Sequence, residues 1–303
     1  MQLIYQGKDI TSAVEISRAD IIDNSGGIAD SIELQFNDPQ SIWSQWQPQK
    51  GDRLQLREAG FDSGLMYVDE LWQTNGVFAV RALSIPQTAK TPNTQAWEAV
   101  RFLEFATELA ARHGFRLETY GITNHLYDRV DQVDEADFSF LAGRCRLEGY
   151  MLKLTDGKAV IYDERHMEAQ APVRTCTAGQ LDGPYQFRDR VTDVFGACRL
   201  NYGSISYEFT APGIAGPILK VNDIHVASLG EAERFAKGLL RSKNKYEMAG
   251  SLAVELDPGV AAGNTIGIQG VGMADGIHFC ETVIHHLVAK KTVLKVRRPL
   301  EGY

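Results

Sequence analysis

Apolar and polar residues alternate along much of the first 90 residues, which is the pattern of half-buried β-strands. The alternation is clear in residues 31–36 and 53–57, and again in residues 77–83. Successive side chains of a strand point to opposite faces, so such a segment has one apolar and one polar face. Clusters of Gly, Asn, Asp and Pro between the runs predict turns. Residues 1–90 are therefore predicted to form a sandwich or small barrel.

After residue 91 the apolar period changes to that of a helix. The predicted helix stops at His113-Gly114, which fits a helix C-terminus. The apolar residues at helical spacing are Trp97, Val100, Leu103, Ala106 and Ala110.

A second helix is predicted at about residues 136–147, ending near Gly149. The dipeptide Asp156-Gly157 follows between two alternating runs, and it tolerates the positive φ angles of a tight hairpin turn. Helices plus a hairpin over residues 91–170 predict a small α/β domain.

Residues 171–303 return to strand patterns, with one helix predicted at about residues 228–246. Ser228 and Glu231 have the spacing of a capping box, in which both side chains accept hydrogen bonds from free backbone N–H groups. The helix is expected to pack on a barrel, because five residues form one apolar face: Ala232, Phe235, Ala236, Leu239 and Leu240.

Residues 51–71 and 263–283 match without a gap, 212 positions apart. Any two β-hairpins share alternation and glycines, but here one offset holds through 21 positions and a further strand follows both copies. We therefore predict an α+β fold in which two related small β-barrel modules, residues 1–90 and 171–303, flank the α/β insert. The matching residues are Gly51 with Gly263, Leu54 with Ile266, Leu56 with Ile268, Gly60 with Gly272, Gly64 with Gly276, Leu65 with Ile277, Tyr67 with Phe279, and Asp69 with Glu281.

Charge and composition narrow the class of function. The net charge is −8, from 39 acidic and 31 basic residues, which argues against a general binder of nucleic acid or anionic membranes. The longest basic cluster is interpreted as a solvated strand face; it comprises Lys290, Lys291, Lys295, Arg297 and Arg298.

The N-terminal sequence has no secretory pattern, and no stretch approaches the roughly 20 apolar residues of a membrane span. Synthesis in the cytoplasm without membrane insertion is expected. The cysteines are too far apart for CxxC pairs and are predicted to be buried small hydrophobic residues; they are Cys145, Cys176, Cys198 and Cys280.

No residue is assigned a catalytic, cofactor-binding or metal-binding role, and no cofactor is expected. His285 and His286 are adjacent on a predicted strand, so they point to opposite faces and cannot ligate one metal. The glycines at 270, 272 and 276 precede a strand, whereas a dinucleotide loop requires a helix. Three carboxylate pairs are interpreted as solvated loop residues rather than glycosidase acids: Asp69-Glu70, Asp134-Glu135 and Asp163-Glu164.

The stretch from Ser228 to Arg298 resembles the late-control D group of tail hub proteins from contractile-tailed phages and phage-like particles. The middle stretch, residues 134–164, is similar to that group's helix-plus-hairpin segment, and residues 48–56 are similar to its first barrel. The residues that carry the resemblance are Pro258, Gly259, Ile266, Ile268, Gly272, Gly276, Phe279, Val283, His285 and His286.

The resemblance implies a structural hub without enzymatic activity in the virion tail baseplate, made in the host bacterial cytoplasm. Such hubs are homotrimers with two tube-like modules per chain, and they match a hexameric tail tube to a trimeric spike. The implied partners are the tail tube, a separate spike or needle protein and the tape-measure protein, and DNA passes through without specific binding. Two alternatives stay open: a spike-base component of a phage-derived injection or secretion machine, and a cell-wall hydrolase.

Overall fold

A computed structural model describes all 303 residues, and the chain is mostly β-sheet with five α-helices. The first part contains β1 (Gln2–Tyr5), β2 (Lys8–Asp9), β3 (Glu15–Asn24), β4 (Ser31–Asn37), α1 (Ile42–Trp46), β5 (Arg53–Glu58), β6 (Phe61–Asp62), β7 (Met66–Thr74) and β8 (Val77–Leu83). The middle contains β9 (Pro92–Arg101), α2 (Phe102–Arg112), β10 (Arg116–Tyr120), β11 (Leu126–Ala136), α3 (Asp137–Glu148), β12 (Tyr150–Thr155), β13 (Lys158–Asp163) and α4 (Glu164–Glu168). The last part contains β14 (Thr175–Thr177), β15 (Gln186–Asp189), β16 (Ala197–Tyr202), β17 (Ile205–Thr210), β18 (Ile218–Val221), α5 (Leu229–Asn244), β19 (Met248–Glu255), β20 (Thr265–Gln269), β21 (Gly276–His286) and β22 (Lys291–Arg297).

The first and last parts of the chain share one large sheet of 14 strands. Its main order is β15-β19-β22-β21-β3-β4-β8-β7-β5-β1-β2, and β6, β14 and β20 pair at its sides. The order is open at both ends, so the strands do not close into a barrel. The predicted mixture of helices and sheet is confirmed, whereas two separate barrel modules are not. The proposed division into three domains stays a prediction.

Within the large sheet the strand order occurs twice. The first strand set runs β1-β5-β7-β8-β4-β3, and the second strand set runs β14-β20-β21-β22-β19-β15. The sets differ at one end, because β1 is antiparallel to β5 whereas β14 is parallel to β20. The repeat in the sequence therefore corresponds to a repeat in strand order.

The register of the strands repeats as well. Each set has a β-bulge at the same position, at Asp69 between β7 and β8 and at Glu281 between β21 and β22. Rows of directly opposed residues show the match across four strands: Tyr67, Leu83, Ser31 and Ile22 in the first set, and Phe279, Arg297, Ala249 and Arg188 in the second.

The glycine that begins each repeat has the same role in both sets. The Gly51 N–H donates to the Val68 carbonyl at 2.7 Å, and the Gly263 N–H donates to the Cys280 carbonyl at 2.9 Å. Both glycines have positive φ, +89° and +94°, a conformation that other residues adopt only with strain. The repeat thus preserves a specific turn, which general β-alternation would not require.

The middle of the chain confirms the predicted hairpin and second helix. Asp156 and Gly157 have φ of 44° and 68° in the turn between β12 and β13, and α3 ends at Gly149 in the left-handed conformation. The strand β10 pairs parallel with β13, while β9 and β11 form a separate two-stranded sheet.

The first predicted helix begins later than its apolar spacing indicated. Trp97 and Val100 lie on β9, and α2 begins only at Phe102. Both residues are buried although they are three positions apart, because Ala99 between them has φ +48° and interrupts the alternation of the strand. An irregular strand therefore produced the spacing of a helix.

The predicted third helix is α5, and Ser228 caps it by accepting a hydrogen bond from the Glu231 N–H at 3.2 Å. The Glu231 carboxylate accepts from Ala227 at 2.8 Å, one residue earlier than in a standard capping box. The helix packs on α3 and on the small sheet β17-β16-β18 instead of the expected barrel. A Cβ at Gly238 would lie 2.3 Å from the Leu147 carbonyl oxygen, so glycine permits this close approach.

All four cysteines are buried and free, as predicted. Burial raises the pKa of the Cys280 thiol to about 12, so it stays protonated. No helix in the structure combines the length and apolarity needed to cross a membrane.

Candidate assembly surfaces

The two strand sets meet where β3 pairs with the second half of β21. The first half of β21 pairs with β20, and from Thr282 onward β3 takes that side. The directly opposed residues are Thr282 with Asn24, Val283 with Asp23, Ile284 with Ile22, His285 with Ile21, and His286 with Asp20.

Side chains strengthen this joint on both faces of the sheet. The His286 imidazole bonds the Asp20 carboxylate at 2.7 Å, and Asp23 accepts a hydrogen bond from the Ala262 N–H at 2.8 Å. Lys153 from β12 forms an ion pair with Asp23, which ties the hairpin of the middle part to the same place. The joint is therefore a continuous sheet with an ionic contact beside it.

The equivalent half of β7 has an unpaired edge. The strand β5 pairs with β7 only at Met66 and Tyr67, and no strand pairs with residues 70–74 on that side. Most of these side chains are exposed, including Trp72 at 38%. Unpaired backbone N–H and C=O groups on a sheet edge can bind another strand.

The strand β15 is the second unpaired edge. It occupies in the second set the position that β3 has in the first, and it pairs only with β19. Gln186, Arg188 and Asp189 are exposed, and Phe187 packs edge-on against His278. The chain thus presents two free strand edges whose counterparts in the other set pair with each other.

A buried cluster of charges lies where α4, α5, β21 and β22 meet. Arg297 is 0% exposed and pairs with Glu164 at 3.3 Å, Glu168 at 2.5 Å and also Glu281. Lys245, the residue that follows α5, lies 2.6 Å from Glu164. Burial alone would raise the pKa of Glu164, but the surrounding cations outweigh it and lower that pKa to about 2.

This cluster corrects the prediction of a solvated basic face at the C-terminal strand. Arg297 is fully buried, while Arg298 donates to the Met273 and Asp275 carbonyls at 3.0 Å each. Lys295 and Arg298 are exposed, and neither forms an ion pair. No pattern along the chain indicates this burial, because a buried Arg in an alternating strand resembles an exposed one until its partners are known.

A second buried carboxyl lies near the joint. Asp30 is 4% exposed and accepts a hydrogen bond from the Asn24 N–H at 2.8 Å. Burial raises its pKa to about 7; the cation of Lys153 opposes this shift and the carboxylate of Asp23 adds to it. Asp30 therefore becomes ionised in the folded chain only near neutral pH.

Replacing Asp30 by Asn is expected to reduce the pH dependence of stability. An unfolded aspartate ionises near pH 4, so between about pH 4 and 7 the folded chain binds more protons, and stability falls as the pH rises. D30N keeps the acceptor for Asn24 and removes the charge, so we expect a gain of about 1–3 kcal/mol at pH 8 relative to pH 4.5. Guanidinium unfolding at both pH values measures it, with the exposed Asp128→Asn as the charge control. If Asp30→Asn changed the free energy of unfolding equally at both pH values, the raised pKa of Asp30 would be contradicted.

The residues considered for chemistry lie apart from one another. His285 is buried and bonds the Thr292 hydroxyl at 3.0 Å, whereas His286 lies on the opposite face, as predicted. Burial lowers the pKa of His285, which favours the neutral imidazole. Gly272 begins a short 3₁₀ turn before β21 and not a helix that could bind a phosphate.

The carboxylate pairs have structural contacts. Asp69 pairs with Lys90 at 2.8 Å, and Asp163 caps α4 by accepting from the Arg165 N–H at 2.8 Å. Glu164 belongs to the buried charge cluster, so its interpretation as a solvated loop residue was wrong. Asp134 lies in a bulge of β11 with φ +48°. The structure brings no three His, Cys, Asp or Glu residues together in a metal-binding arrangement.

No known family model matches the sequence, and no curated protein sequence is significantly similar to it. Solved structures nevertheless share its fold. The 43 kDa tail protein of prophage MuSo2 from Shewanella oneidensis is 13% identical, with a TM-score of 0.79 and 98% of each chain covered. The tail protein from Neisseria meningitidis MC58 is 14% identical, with a TM-score of 0.77 and coverage of 98% and 95%.

A third similar structure comes from a secretion machine. The E. coli c3393 protein is described as a component of the type VI secretion system with structural similarity to the T4 bacteriophage tail proteins gp27 and gp5. It is 11% identical, with a TM-score of 0.63, and the match covers all of this chain and 79% of the other. The chain therefore shares the fold of these phage tail proteins and of the type VI secretion component, and the resemblance seen in its sequence is confirmed at the level of the fold.

Proposed function

We propose that this protein is the trimeric hub of a phage tail baseplate, which joins a hexameric tail tube to a trimeric spike. The observation that carries the proposal is the repeated strand order, in which one chain presents two related strand sets in one sheet. Three chains would present six such sets. A ring of this kind has exact threefold and approximate sixfold symmetry, so it can bind a sixfold partner on one side and a threefold partner on the other.

The chemistry of the chain supports a structural role. Most of its buried charges form ion pairs within the chain, and no three His, Cys, Asp or Glu residues cluster as metal ligands. The similar structures are tail and secretion components. The partners of the hub would be the tail tube, the spike and the tape-measure protein. The hub would be located in the virion baseplate.

The acidic balance supports a channel through which DNA passes without specific binding. Proteins that hold DNA neutralise several phosphates with clustered Lys and Arg, and the affinity then depends strongly on salt. This chain has 31 basic against 39 acidic residues. Many of the basic residues are paired with carboxylates inside the chain.

Light scattering after size-exclusion chromatography tests the hub. We expect a molar mass near 100 kDa, about three times the 33.6 kDa chain, for the protein alone, or a larger complex that contains three copies of the chain when tube and spike proteins are added. A mass near 34 kDa in every mixture would overturn the proposal. The 14-stranded sheet within a single chain makes a folded monomer possible, so the measurement separates assembly from folding.

The similarity to the type VI secretion component favours a second candidate, the spike base of a phage-derived injection or secretion machine. The neighbouring genes distinguish the two. Sheath, tube and tape-measure genes beside holin and lysin genes would support a phage or tailocin. A cell-wall hydrolase is the weakest candidate, and cleared peptidoglycan in a zymogram would support it.

A further inference from the structure

We propose that β15 of one copy pairs antiparallel with residues 70–74 of β7 in the next copy, so that the sheet continues from chain to chain. The inference rests on the trimer of the proposed function and specifies its contact. Within one chain β3 already pairs with the second half of β21. The contact between copies would be the repeat of that joint, with β15 in the place of β3 and β7 in the place of β21.

The register of the β3–β21 joint within one chain predicts the register of the proposed β15–β7 contact between copies. Ile22 of β3 and Arg188 of β15 occupy equivalent positions, because each ends the corresponding row of opposed residues in its strand set. The residue opposite Ile22 is Ile284, and its counterpart 212 positions earlier is Trp72. Arg188 therefore faces Trp72. The other opposed residues are Arg190 with Glu70, Asp189 with Leu71, Phe187 with Gln73, and Gln186 with Thr74.

The opposed side chains are chemically complementary. Arg190 would lie beside the carboxylate of Glu70, and directly opposed unlike charges stabilise a strand pair. The Arg188 guanidinium would lie over the indole of Trp72, a favourable cation–π contact. All four side chains are exposed in the single chain. Complementarity at two adjacent positions on one face supports this register.

A second feature of the internal joint is preserved. Asp23 of β3 accepts a hydrogen bond from the Ala262 N–H beside β21. The counterpart of Asp23 in β15 is Asp189, and the counterpart of Ala262 beside β7 is Lys50. Asp189 and Lys50 are both exposed, so the same acceptor can bond the same backbone position in the next copy, with a Lys cation added.

The occupant of each edge is therefore a second copy of this chain. Natural proteins protect free edges with Pro or Lys, and residues 70–74 and 186–189 contain neither. In a trimer, three β3–β21 joints within chains would alternate with three β15–β7 joints between chains, which leaves neither edge open.

Disulfide trapping tests the register, with cysteines at Thr74 and Gln186. Within the chain, the Ser25 N–H donates to the Glu281 carbonyl and the Leu287 N–H to the Ala19 carbonyl, each at 2.8 Å. Hydrogen-bonded and non-hydrogen-bonded pairs alternate along the joint. His286 and Asp20, the counterparts of Thr74 and Gln186, therefore form a non-hydrogen-bonded pair. Such pairs have Cα atoms about 4.5 Å apart, within the range of disulfides. The four native cysteines are buried and should not compete.

Mild oxidation of T74C/Q186C should give covalent dimers and trimers on a non-reducing gel, reversed by reductant. The control T74C/D189C moves the second cysteine to the opposite face of the same strand and should stay at the monomer position. A trimeric mass without covalent species, or a disulfide within one chain, would overturn the strand pairing and leave the hub intact. A monomer without covalent species at every concentration, alone and with the tube and spike proteins, would overturn both.

Discussion

Replacing Arg297 by Met is expected to lower the free energy of unfolding by about 3–5 kcal/mol. The guanidinium is fully buried and contacts three carboxylates, Glu164, Glu168 and Glu281. Methionine fills a similar space but leaves those carboxylates without one of their cations. The penalty comes from buried charge without compensation, since whole buried ion pairs often contribute little net stability.

Lys295→Met is the matched control, because it lies two residues earlier on the same strand and is exposed without an ion pair. Its effect should be within about 0.5 kcal/mol. Guanidinium unfolding followed by tryptophan fluorescence measures both variants at neutral pH. Similar small changes for the two would show that the cluster does not stabilise the fold.

The buried charge cluster of the wild-type protein should also lose its stabilising effect at low pH. The pKa of Glu164 is about 2 in the folded chain and its ordinary value is 4.5. A lowered pKa means that the stabilisation is present above about pH 4.5 and is lost as the pH falls toward 2. Arg297→Met should therefore lose less stability than the wild type over this interval, since part of the contribution is already gone.

Replacing Gln73 by Pro is expected to abolish the trimer while the single chain stays folded. Gln73 is the counterpart of His285, which lies between the hydrogen bonds of Ser25 and Leu287 in the alternating pattern of the internal joint. Its N–H therefore points to the free edge and away from β8. Proline removes that donor, and an edge strand tolerates proline where the N–H faces solvent.

The mass should fall from near 100 kDa to near 34 kDa at concentrations where the wild type is trimeric. Gln73→Ala is the control, because it removes the same side chain and keeps the donor, so its mass should match the wild type. Circular dichroism should show equal folded content in both variants. A trimeric Gln73→Pro protein would exclude pairing through this edge.

Several local features of the fold were predictable because their signals lie close together in the sequence. The turn at Asp156-Gly157, the helix after Ala136 and the cap at Ser228 each depend on a few neighbouring residues. The spacing of Trp97 and Val100 predicts a helix although both lie on β9, because Ala99 with its positive φ interrupts the alternation of that strand.

The repeat was also visible in the sequence, because side-chain alternation, bulge position and turn glycines all have a fixed spacing within each copy. The way in which the two copies pair in the fold was not visible there. Nothing in either copy shows that β3 joins β21 across more than 250 residues, or that the two strand sets form an open sheet instead of two barrels.

The repeat of residues 51–71 at 263–283 and the likeness to tail hub proteins could both be recognised in the sequence. The burial of Arg297 and the free edges of β7 and β15 became apparent only in the folded chain. The reason is physical: turns, caps and periods depend on neighbours along the chain. Strand pairing and the burial of charge depend on partners that folding brings together from distant positions.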